Sequence, residues 1–363
     1  MKKSEMGYRG SKLVVNNAIK EQRVNGSWHN YVFKMYSNGF RRKLSKQNPF
    51  LSNTKFVRYC SNLSTKVKLP PYAITGLVDA EGCFRISILN NIKLKDNNNL
   101  PFKTRLYFQL GLHKKDENLL ELIKNNLKVG KIYKSRPELY ELQVSSVKNI
   151  KLLIEFFDKY PLITQKHGDY ELFKKAYELI NNKQHLTNEG LLELIRLKAS
   201  SNRGLNKRLK EAYPNTIPVT RIHPKNQIPS PEWLVGFVSG EGNFMIRLIN
   251  SPANKLGYQV GLRFQITQHS RDTLLMKNII NYLECGYLST RKDIIDFHVT
   301  KFSDIIEKII PFFDKYHLLG VKQKDFKVFK IVAYIIRDKK HLTEEGLLKI
   351  KEIKLGNKND NSI

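Results

Sequence analysis

The sequence contains one pattern twice, and this internal duplication constrains the fold more than any other feature. Four segments of the first half recur 156 positions later, at a single constant spacing. Self-similarity at a fixed spacing is the signature of repeated structural units. The chain is therefore predicted to fold as two units of one design. The recurring segments are Phe108-Gln109 and Phe264-Gln265, His113 and His269, Phe156-Phe157-Asp158-Lys159-Tyr160 and Phe312-Phe313-Asp314-Lys315-Tyr316, and His185-Leu186-Thr187 and His341-Leu342-Thr343.

A second, slightly different spacing locates the domain boundaries. Glu81-Gly82 recurs as Glu241-Gly242, 160 positions later, so the first copy holds four extra residues before Phe108. These residues are predicted to lengthen a polar hairpin tip at 93–99. The first repeat is predicted to span 71–205 and the second 231–357, with a linker that contains four prolines at 206–230 and a tail at 358–363.

The charge of the chain indicates a polyanionic partner. Lys and Arg outnumber Asp and Glu by 63 to 33 in the 363 residues, which gives a formal net charge of +30. Such an excess favours nucleic acid or an anionic membrane surface. A hydrophobic fraction of 41% excludes a wholly disordered basic protein. No uncharged apolar stretch of about 18 residues occurs, so no membrane span is predicted. Cys60, Cys83 and Cys285 are too few and too far apart for a disulfide framework or a zinc site with paired thiolates.

Residues 1–70 differ in composition from the two repeats. They contain 15 Lys and Arg but only two acids, and they end at Pro70-Pro71. Consecutive prolines disfavour helical geometry in the residues before them, which indicates a boundary. An acid-poor segment that carries Arg resembles a mitochondrial presequence. A solvated basic tail and an upstream extension of the reading frame are the alternatives. In each case residues 1 to about 66 are predicted to lie outside the duplicated fold, which begins near Pro71.

Each repeat is predicted to combine helices with an antiparallel sheet in an α+β fold. The apolar segments 72–80 and 232–240 follow prolines that suit the first turn of a helix. Period-two alternation then predicts paired strands with one apolar face and one polar face. A helix near 116–127, a hairpin near 131–145 and further helices follow. The polar face is the predicted recognition surface, with Arg85, Ser87, Arg105, Tyr107 and Gln109 in the first repeat and Arg247, Arg263, Gln265 and Thr267 in the second.

The two apolar helices are predicted to pack against each other and to end in carboxylates. Small residues four positions apart, Gly76 with Ala80 and Gly236 with Gly240, allow two helix backbones to approach closely. Each helix ends in an acid followed by a glycine, which is predicted to adopt the left-handed conformation of a helix stop.

Side-by-side packing of these helices would bring Glu81 and Glu241 together. Two carboxylates beside a polyanion repel it unless divalent cations intervene, and oxygen ligands suit Mg²⁺. This arrangement is a two-metal clamp for attack on a phosphodiester. An acid-glycine helix end also occurs without any catalytic role, but the duplication, the small-residue faces and the basic sheets favour catalysis here.

The segments 74–82 and 234–242 resemble the motif of the LAGLIDADG homing endonucleases, in particular the single-chain, two-repeat type encoded in fungal mitochondrial introns. The resemblance covers residues 71–357. It implies two αββαββα units related by a pseudo-twofold axis, with the motif helices at their interface and each sheet in the major groove. It also implies a mitochondrial monomer that binds about two helical turns of DNA and cuts both strands across the minor groove with Mg²⁺ or Mn²⁺.

The resemblance also assigns roles to individual residues. Glu81 and Glu241 match the metal-binding acids, and the backbone carbonyls of Ala80 and Gly240 become further candidate metal ligands. Lys322 and Lys166 match a basic pocket that could stabilise charge on the scissile phosphate. Gln268 matches a solvent-positioning glutamine.

Two positions differ between the repeats in ways that bear on this pattern. Leu112 stands where the second repeat has Gln268, so the two half-sites are predicted to be chemically unequal. Ser239 stands where the first repeat has Asp79. That position is not a metal ligand in the family, so the difference affects the motif more than the chemistry.

Three functions remain open from the sequence. The first is a site-specific DNA endonuclease that serves intron homing. The second is a maturase that binds group I intron RNA and assists splicing, alone or alongside nuclease activity. The third is a DNA-binding module that has lost cleavage, which the presence of both acids disfavours.

Overall fold

The computed structural model describes residues 67–90 and 102–359, with side chains to residue 355. The predicted hairpin tip at 93–99, the extension up to residue 66 and residues 360–363 lie outside the described part. Within the described residues, no helix combines the length and the apolar character needed to cross a membrane.

The first repeat follows the expected αββαββα order and then adds two helices. An additional short helix, α6, lies within the segment predicted to be a linker. The elements are α1 (Pro71–Glu81), β1 (Gly82–Asn90), β2 (Phe102–His113), α2 (Glu117–Leu127), β3 (Lys131–Arg136), β4 (Leu139–Val144), α3 (Val147–Lys159), α4 (Lys166–Asn181), α5 (Asn188–Ser200) and α6 (Lys207–Ala212).

The second repeat has the same order with one local difference. Its third helix is broken into two α-helical pieces by a π-helical turn at Ile305–Ile309. Pro311 follows this turn and has no N–H to donate, whereas the first repeat has Glu155 at the corresponding position. The elements are α7 (Pro231–Glu241), β5 (Gly242–Asn250), β6 (Tyr258–His269), α8 (Thr273–Leu283), β7 (Tyr287–Arg291), β8 (Ile294–Val299), α9 (Phe302–Asp304), α10 (Ile310–Lys315), α11 (Lys322–Arg337) and α12 (Glu344–Asn359).

Each repeat contains one four-stranded antiparallel sheet. The strand orders are β1-β2-β4-β3 and β5-β6-β8-β7. The predicted alternation is confirmed, because Phe84, Ile86 and Ile88 are buried while Arg85 and Ser87 between them are partly exposed. One face of each sheet therefore covers the core, and the other presents polar side chains.

The core of each repeat is built around one phenylalanine of the first strand. Phe84 contacts four aromatic rings of its own repeat, with centroid distances of 5.2 to 5.5 Å. Phe244 has four matching neighbours in the second repeat, at 5.0 to 5.5 Å. Edge, tilted and stacked ring contacts of this kind stabilise a core beyond simple area burial. The duplication in sequence is thus a duplication of packing.

The prediction that Gly82 and Gly242 adopt a left-handed conformation is wrong. Their φ and ψ angles are −73° and 157°, and −76° and 150°, which is extended backbone. The chain passes straight from each motif helix into a strand. Glycine is needed there for space, because a Cβ atom would lie 2.5 Å from Val78 Cγ1 in the first repeat and 2.4 Å from Val238 Cγ1 in the second.

Candidate active site and nucleic-acid interface

Helices α1 and α7 pack backbone to backbone through their glycines. A Cβ atom on Gly76 would lie 2.0 Å from the carbonyl oxygen of Trp233, and one on Gly236 would lie 2.0 Å from that of Ala73. The two contacts are reciprocal, as expected for an interface about a pseudo-twofold axis. The prediction that small residues allow close approach of these helices is therefore confirmed.

The close approach places the acidic ends of the two helices beside each other. A Cβ atom on Gly240 would lie 2.5 Å from Ala80 Cβ and 3.6 Å from Glu81 Oε1. Glu241 is the next residue of α7 and is the last residue of that helix, as Glu81 is of α1. The structure therefore brings the two predicted catalytic acids to one end of the helix pair.

Glu81 lines a pocket formed by both repeats. Leu112 and Asp116 come from its own repeat, whereas Ser239, Lys322 and Asp325 come from the other. The structure thus places the predicted Lys322 beside Glu81. It also places Leu112 in this pocket. Gln268 occupies the corresponding register position, next to the last residue of β6, in the other repeat.

Lys166 lies beside the end of α1 and within electrostatic reach of Glu241. Its Nζ atom donates to the carbonyl oxygens of Val78 at 3.0 Å and Ala80 at 3.2 Å. Burial lowers the pKa of Lys166, and the negative charges of Asp79 and Glu241 oppose that shift. Each predicted acid thus lies near the predicted lysine of the other repeat. The Ala80 carbonyl, a candidate metal ligand, is engaged by Lys166.

Acidic residues from each repeat also hold the start of the lysine-bearing helix of the other repeat. Asp116 Oδ1 accepts from Val321 N at 2.8 Å, directly before Lys322. Asp272 Oδ1 accepts from Gln165 N, also at 2.8 Å, directly before Lys166. These two bonds fix the lysine helices across the interface.

Lys322 has a close acidic neighbour in its own helix. Its Nζ atom lies 3.6 Å from Asp325 Oδ2, and both side chains are 12% exposed. Burial raises the pKa of Asp325 to about 6, although Lys322 opposes the shift. In the first repeat the corresponding acid is Asp169, which instead accepts from Arg221 of the linker at 2.8 Å.

Asp79 has a structural role that its sequence position does not reveal. Its side chain is 3% exposed and accepts from Ile163 N, Thr164 N, Thr164 Oγ1 and Trp233 Nε1 at 2.6 to 3.2 Å. Burial raises its pKa, although the bonds from Thr164, Ile163 and Trp233 oppose the shift. Ser239, at the corresponding position of the second repeat, has a similar role with a single accepted bond, since its Oγ accepts from Leu319 N at 2.8 Å. This position therefore holds the loop before each lysine helix.

The predicted acids fit a hard divalent cation only in part. Within residues 67–90 and 102–359, no group of three or more His, Cys, Asp or Glu side chains could hold a metal ion. Glu81 and Glu241 supply one carboxylate each, so any cation there needs further oxygen ligands. Mg²⁺ commonly takes one or two protein carboxylates and completes its shell with water and substrate phosphates. The donor set therefore suits a cation that is bound together with the nucleic acid.

The nine predicted DNA-binding side chains all lie on the polar faces of the two sheets. By strand register, Arg85 pairs with Tyr107, Ser87 with Arg105 and Gln109 with Cys83. The Arg85 guanidinium lies over the Tyr107 ring, 4.8 Å from its centroid. In the second repeat Arg263, Gln265 and Thr267 follow one another on the same face of β6, and Arg247 lies on β5 beside them.

Sequence interpretation missed the polar residues of the outer hairpins. Asp296 of β8 accepts from Gln265 and Thr267, and Glu141 of β4 accepts from Gln109 at 3.1 Å. Arg291 of β7 also contacts Asp296. The same period-two alternation that identified the inner strands could have found these positions. Each polar face is therefore four strands wide.

The fold and site define a class of protein: a single chain with two half-sites, whose paired acids lie between two basic, polar sheets. The chain belongs to the LAGLIDADG endonuclease family, whose model matches residues 74–177 and 234–333.

Curated relatives extend the match over most of the sequence. "Probable intron-encoded endonuclease 3" of Neurospora crassa is 37% identical over 96% of this chain and 69% of its own length. "Probable intron-encoded endonuclease 2" of the same organism is 41% identical over 79% of this chain and 64% of its own length. The chain thus spans about two thirds of the length of these relatives.

A solved structure agrees in fold. That of I-SmaMI bound to an uncleaved DNA target in the presence of calcium ions has a TM-score of 0.77 and 42% sequence identity. The match covers 80% of this chain and 99% of the I-SmaMI chain. Another structure of I-SmaMI, bound to cleaved DNA, matches with the same TM-score of 0.77.

Proposed function

We propose that this chain is a site-specific DNA endonuclease that cuts both strands of a target duplex and serves intron homing. The observation that carries the proposal is the reciprocal glycine contact that brings the ends of α1 and α7 together between two polar sheets. One acid and one lysine then act in the cleavage of each DNA strand: Glu81 with Lys322, and Glu241 with Lys166. Family membership and the DNA complexes of I-SmaMI support the same activity.

In this proposal Glu81 and Glu241 hold divalent cations, with Mg²⁺ as the natural ion and Mn²⁺ as a substitute. When bound, the cations would supply charge neutralisation at the scissile phosphates and an activated water. Lys322 and Lys166 would add positive charge beside the developing phosphorane. The Ala80 carbonyl accepts from Lys166 Nζ at 3.2 Å and keeps a second lone pair, so it stays a candidate ligand. The Gly240 carbonyl stays a candidate ligand.

The two strands should not be cut at equal rates. Gln268 can orient a water by hydrogen bonding, whereas Leu112 in the pocket of Glu81 cannot. Because the two pockets differ in this way, we expect a nicked intermediate during cleavage of a plasmid. Accumulation of that intermediate would distinguish two unequal half-sites from a symmetric enzyme.

The partner in this proposal is duplex DNA of about two helical turns, bound by one copy of the chain. The nine predicted side chains on the polar faces contact its major groove. The mitochondrion is the proposed location, on the resemblance to the type encoded in fungal mitochondrial introns. We further propose that residues 1–70, the repeats at 71–205 and 231–357, and the linker between them are separate functional segments.

A plasmid assay tests this function. Supercoiled plasmid carrying the uninterrupted insertion site of the chain's own intron is incubated with the purified full chain and Mg²⁺. We expect linear product, none of it in EDTA and none from a matched plasmid in which the intron interrupts the site. If neither plasmid is cut while the protein accelerates splicing of the intron RNA, the maturase function, with group I intron RNA as partner, replaces the nuclease.

A further inference from the structure

The outer hairpin of the second repeat contains a buried carboxylate on the polar face of the sheet. Asp296 lies opposite Thr267 of β6 and Ser289 of β7. Its side chain is only 1% exposed, although this face otherwise presents polar groups to solvent. A charged group is buried in this way only when several donors surround it.

Three side chains supply those donors. Asp296 Oδ1 accepts from Thr267 Oγ1 at 2.6 Å and from Gln265 Nε2 at 2.9 Å. Oδ2 accepts from Arg291 at two atoms, Nη2 at 2.6 Å and Nε at 3.1 Å. Burial alone would raise the pKa of Asp296, but the hydrogen bonds from Thr267, Arg291 and Gln265 hold it below its ordinary value. The carboxylate is therefore ionised and fixes all three side chains.

Arg291 keeps an unused face in this arrangement. Its side chain is 68% exposed even though Asp296 holds one edge of the guanidinium. An arginine has five N–H donors, and the bonds to Asp296 use one on Nε and one on Nη2. The two on Nη1 and the second on Nη2 remain on the outer end of the fork. One donor on Nη1 and the remaining donor on Nη2 form a parallel pair that matches the O6 and N7 acceptors of guanine in the major groove.

We propose that Arg291, held by Asp296, reads one guanine of the target, with Gln265 and Thr267 fixed in the same unit. The inference rests on the proposed function, because it requires that this face of the sheet binds duplex DNA. A guanidinium fixed before binding loses less side-chain entropy when it meets a base, so more of the binding free energy of the contact discriminates between bases. A phosphate contact would gain less from such fixing, since any cation near the backbone satisfies it.

The first repeat has Arg136 at the register position of Arg291 but, within the described residues, lacks its bond to a carboxylate, which makes the proposal specific to one half-site. The corresponding register pair is Gly111 with Glu141, so no threonine hydroxyl is available there. Glu141 accepts from Gln109 at 3.1 Å, and its hairpin partner strand is interrupted by a bulge between Lys134 and Arg136. Glu141→Gln is therefore a matched control in the same protein.

Selection from a pool of randomised duplexes tests the proposal without knowledge of the target. The full chain is bound to the pool in Ca²⁺, bound duplexes are sequenced, and the consensus is compared among wild type, Arg291→Lys, Asp296→Asn and Glu141→Gln. We expect one G·C pair to be preferred about tenfold or more by the wild type. Arg291→Lys keeps the positive charge but loses the fork, so that single preference should fall to about twofold.

The other variants locate the effect. Asp296→Asn should weaken the same position, because its amide N–H₂ cannot accept from both sides of the network, and Glu141→Gln should leave that position unchanged. Thermal melts establish that each variant is folded, and Arg291→Lys, an exposed change, keeps the test valid if Asp296→Asn unfolds. If the wild type selects a consensus but Arg291→Lys alters no position, or lowers affinity for all sequences alike, Arg291 does not read a base. If the wild type selects no consensus, the proposed function and this inference both fail.

Discussion

Replacing Gly76 with alanine tests the close packing on which the active site depends. A Cβ atom there would lie 2.0 Å from Trp233 O and 2.8 Å from Phe237 N. Ordinary contact requires more than 3 Å, so α1 and α7 would have to separate by roughly 1 Å. Both neighbouring atoms are backbone atoms, which cannot rotate away as a side chain would. The substitution must therefore move a helix.

Two opposing effects set the size of the change. In an isolated helix, alanine is more favourable than glycine by about 1 kcal/mol. Overpacking a well-filled interior costs about 1–3 kcal/mol, with larger values when backbone has to shift. We expect Gly76→Ala to lower the free energy of unfolding by about 2 kcal/mol. Because the same helices end in Glu81 and Glu241, a displacement of about 1 Å should also slow cleavage by roughly 100-fold.

Urea unfolding and single-turnover cleavage measure these two effects. Gly261→Ala is the matched control, since a Cβ there has no neighbour nearer than Arg247 Cβ at 3.9 Å. The control should unfold within about 0.5 kcal/mol of wild type. A Gly76→Ala protein with the wild-type midpoint and cleavage rate would refute the packing argument.

Three further predictions concern the groups around the site. Asp79→Asn should lower the free energy of unfolding by about 3 kcal/mol in urea titrations, because its amide would face two buried donors, whereas Ser239→Ala should cost only about 1 kcal/mol. The pKa of Asp325 is raised to about 6 in the folded protein, so the unfolded carboxyl ionises first as the pH rises. Metal-free wild type should therefore lose up to about 3 kcal/mol of stability between about pH 4 and about pH 6. Asp325→Asn should remove this loss, and unfolding midpoints across that pH range would show it. Arg221→Lys should destabilise by about 1–2 kcal/mol, because an ammonium cannot keep all the bonds that the guanidinium donates to Asp169, Ser200 and Gln165; an unchanged thermal midpoint would contradict this.

Much of the architecture could be predicted because it depends on local sequence. The motif helices follow from apolar segments that begin at prolines, and the sheet faces follow from period-two alternation at Phe84 to Ile88. Because the chain is duplicated, each pattern occurs twice, and the second occurrence supports the prediction made from the first. The pairing of α1 with α7 also followed, because the glycines that permit it lie on one face of each helix.

The features that could not be predicted depend on contacts between residues distant in sequence. Asp79 meets Thr164 through the folding of its own repeat and Trp233 through the packing of the two repeats, so its motif position gave no sign of this network. Gly82 is extended because α1 passes directly into β1, and glycine is required there because an added Cβ would meet Val78. The placement of each acid near the lysine of the other repeat likewise depends on the interface between the repeats.

The most direct test of the account is the role of the two motif acids. Glu81→Gln and Glu241→Gln each remove one charged metal ligand while keeping side-chain volume. We expect binding in Ca²⁺ to survive in both variants and double-strand cleavage in Mg²⁺ to collapse, with each single variant at most nicking the plasmid. A glutamate that only ends a helix would contribute little, and its replacement would leave activity within a few-fold. Wild-type linearisation by the Glu81→Gln, Glu241→Gln double variant, measured beside a binding titration, would contradict the assignment of these acids to the metal ions.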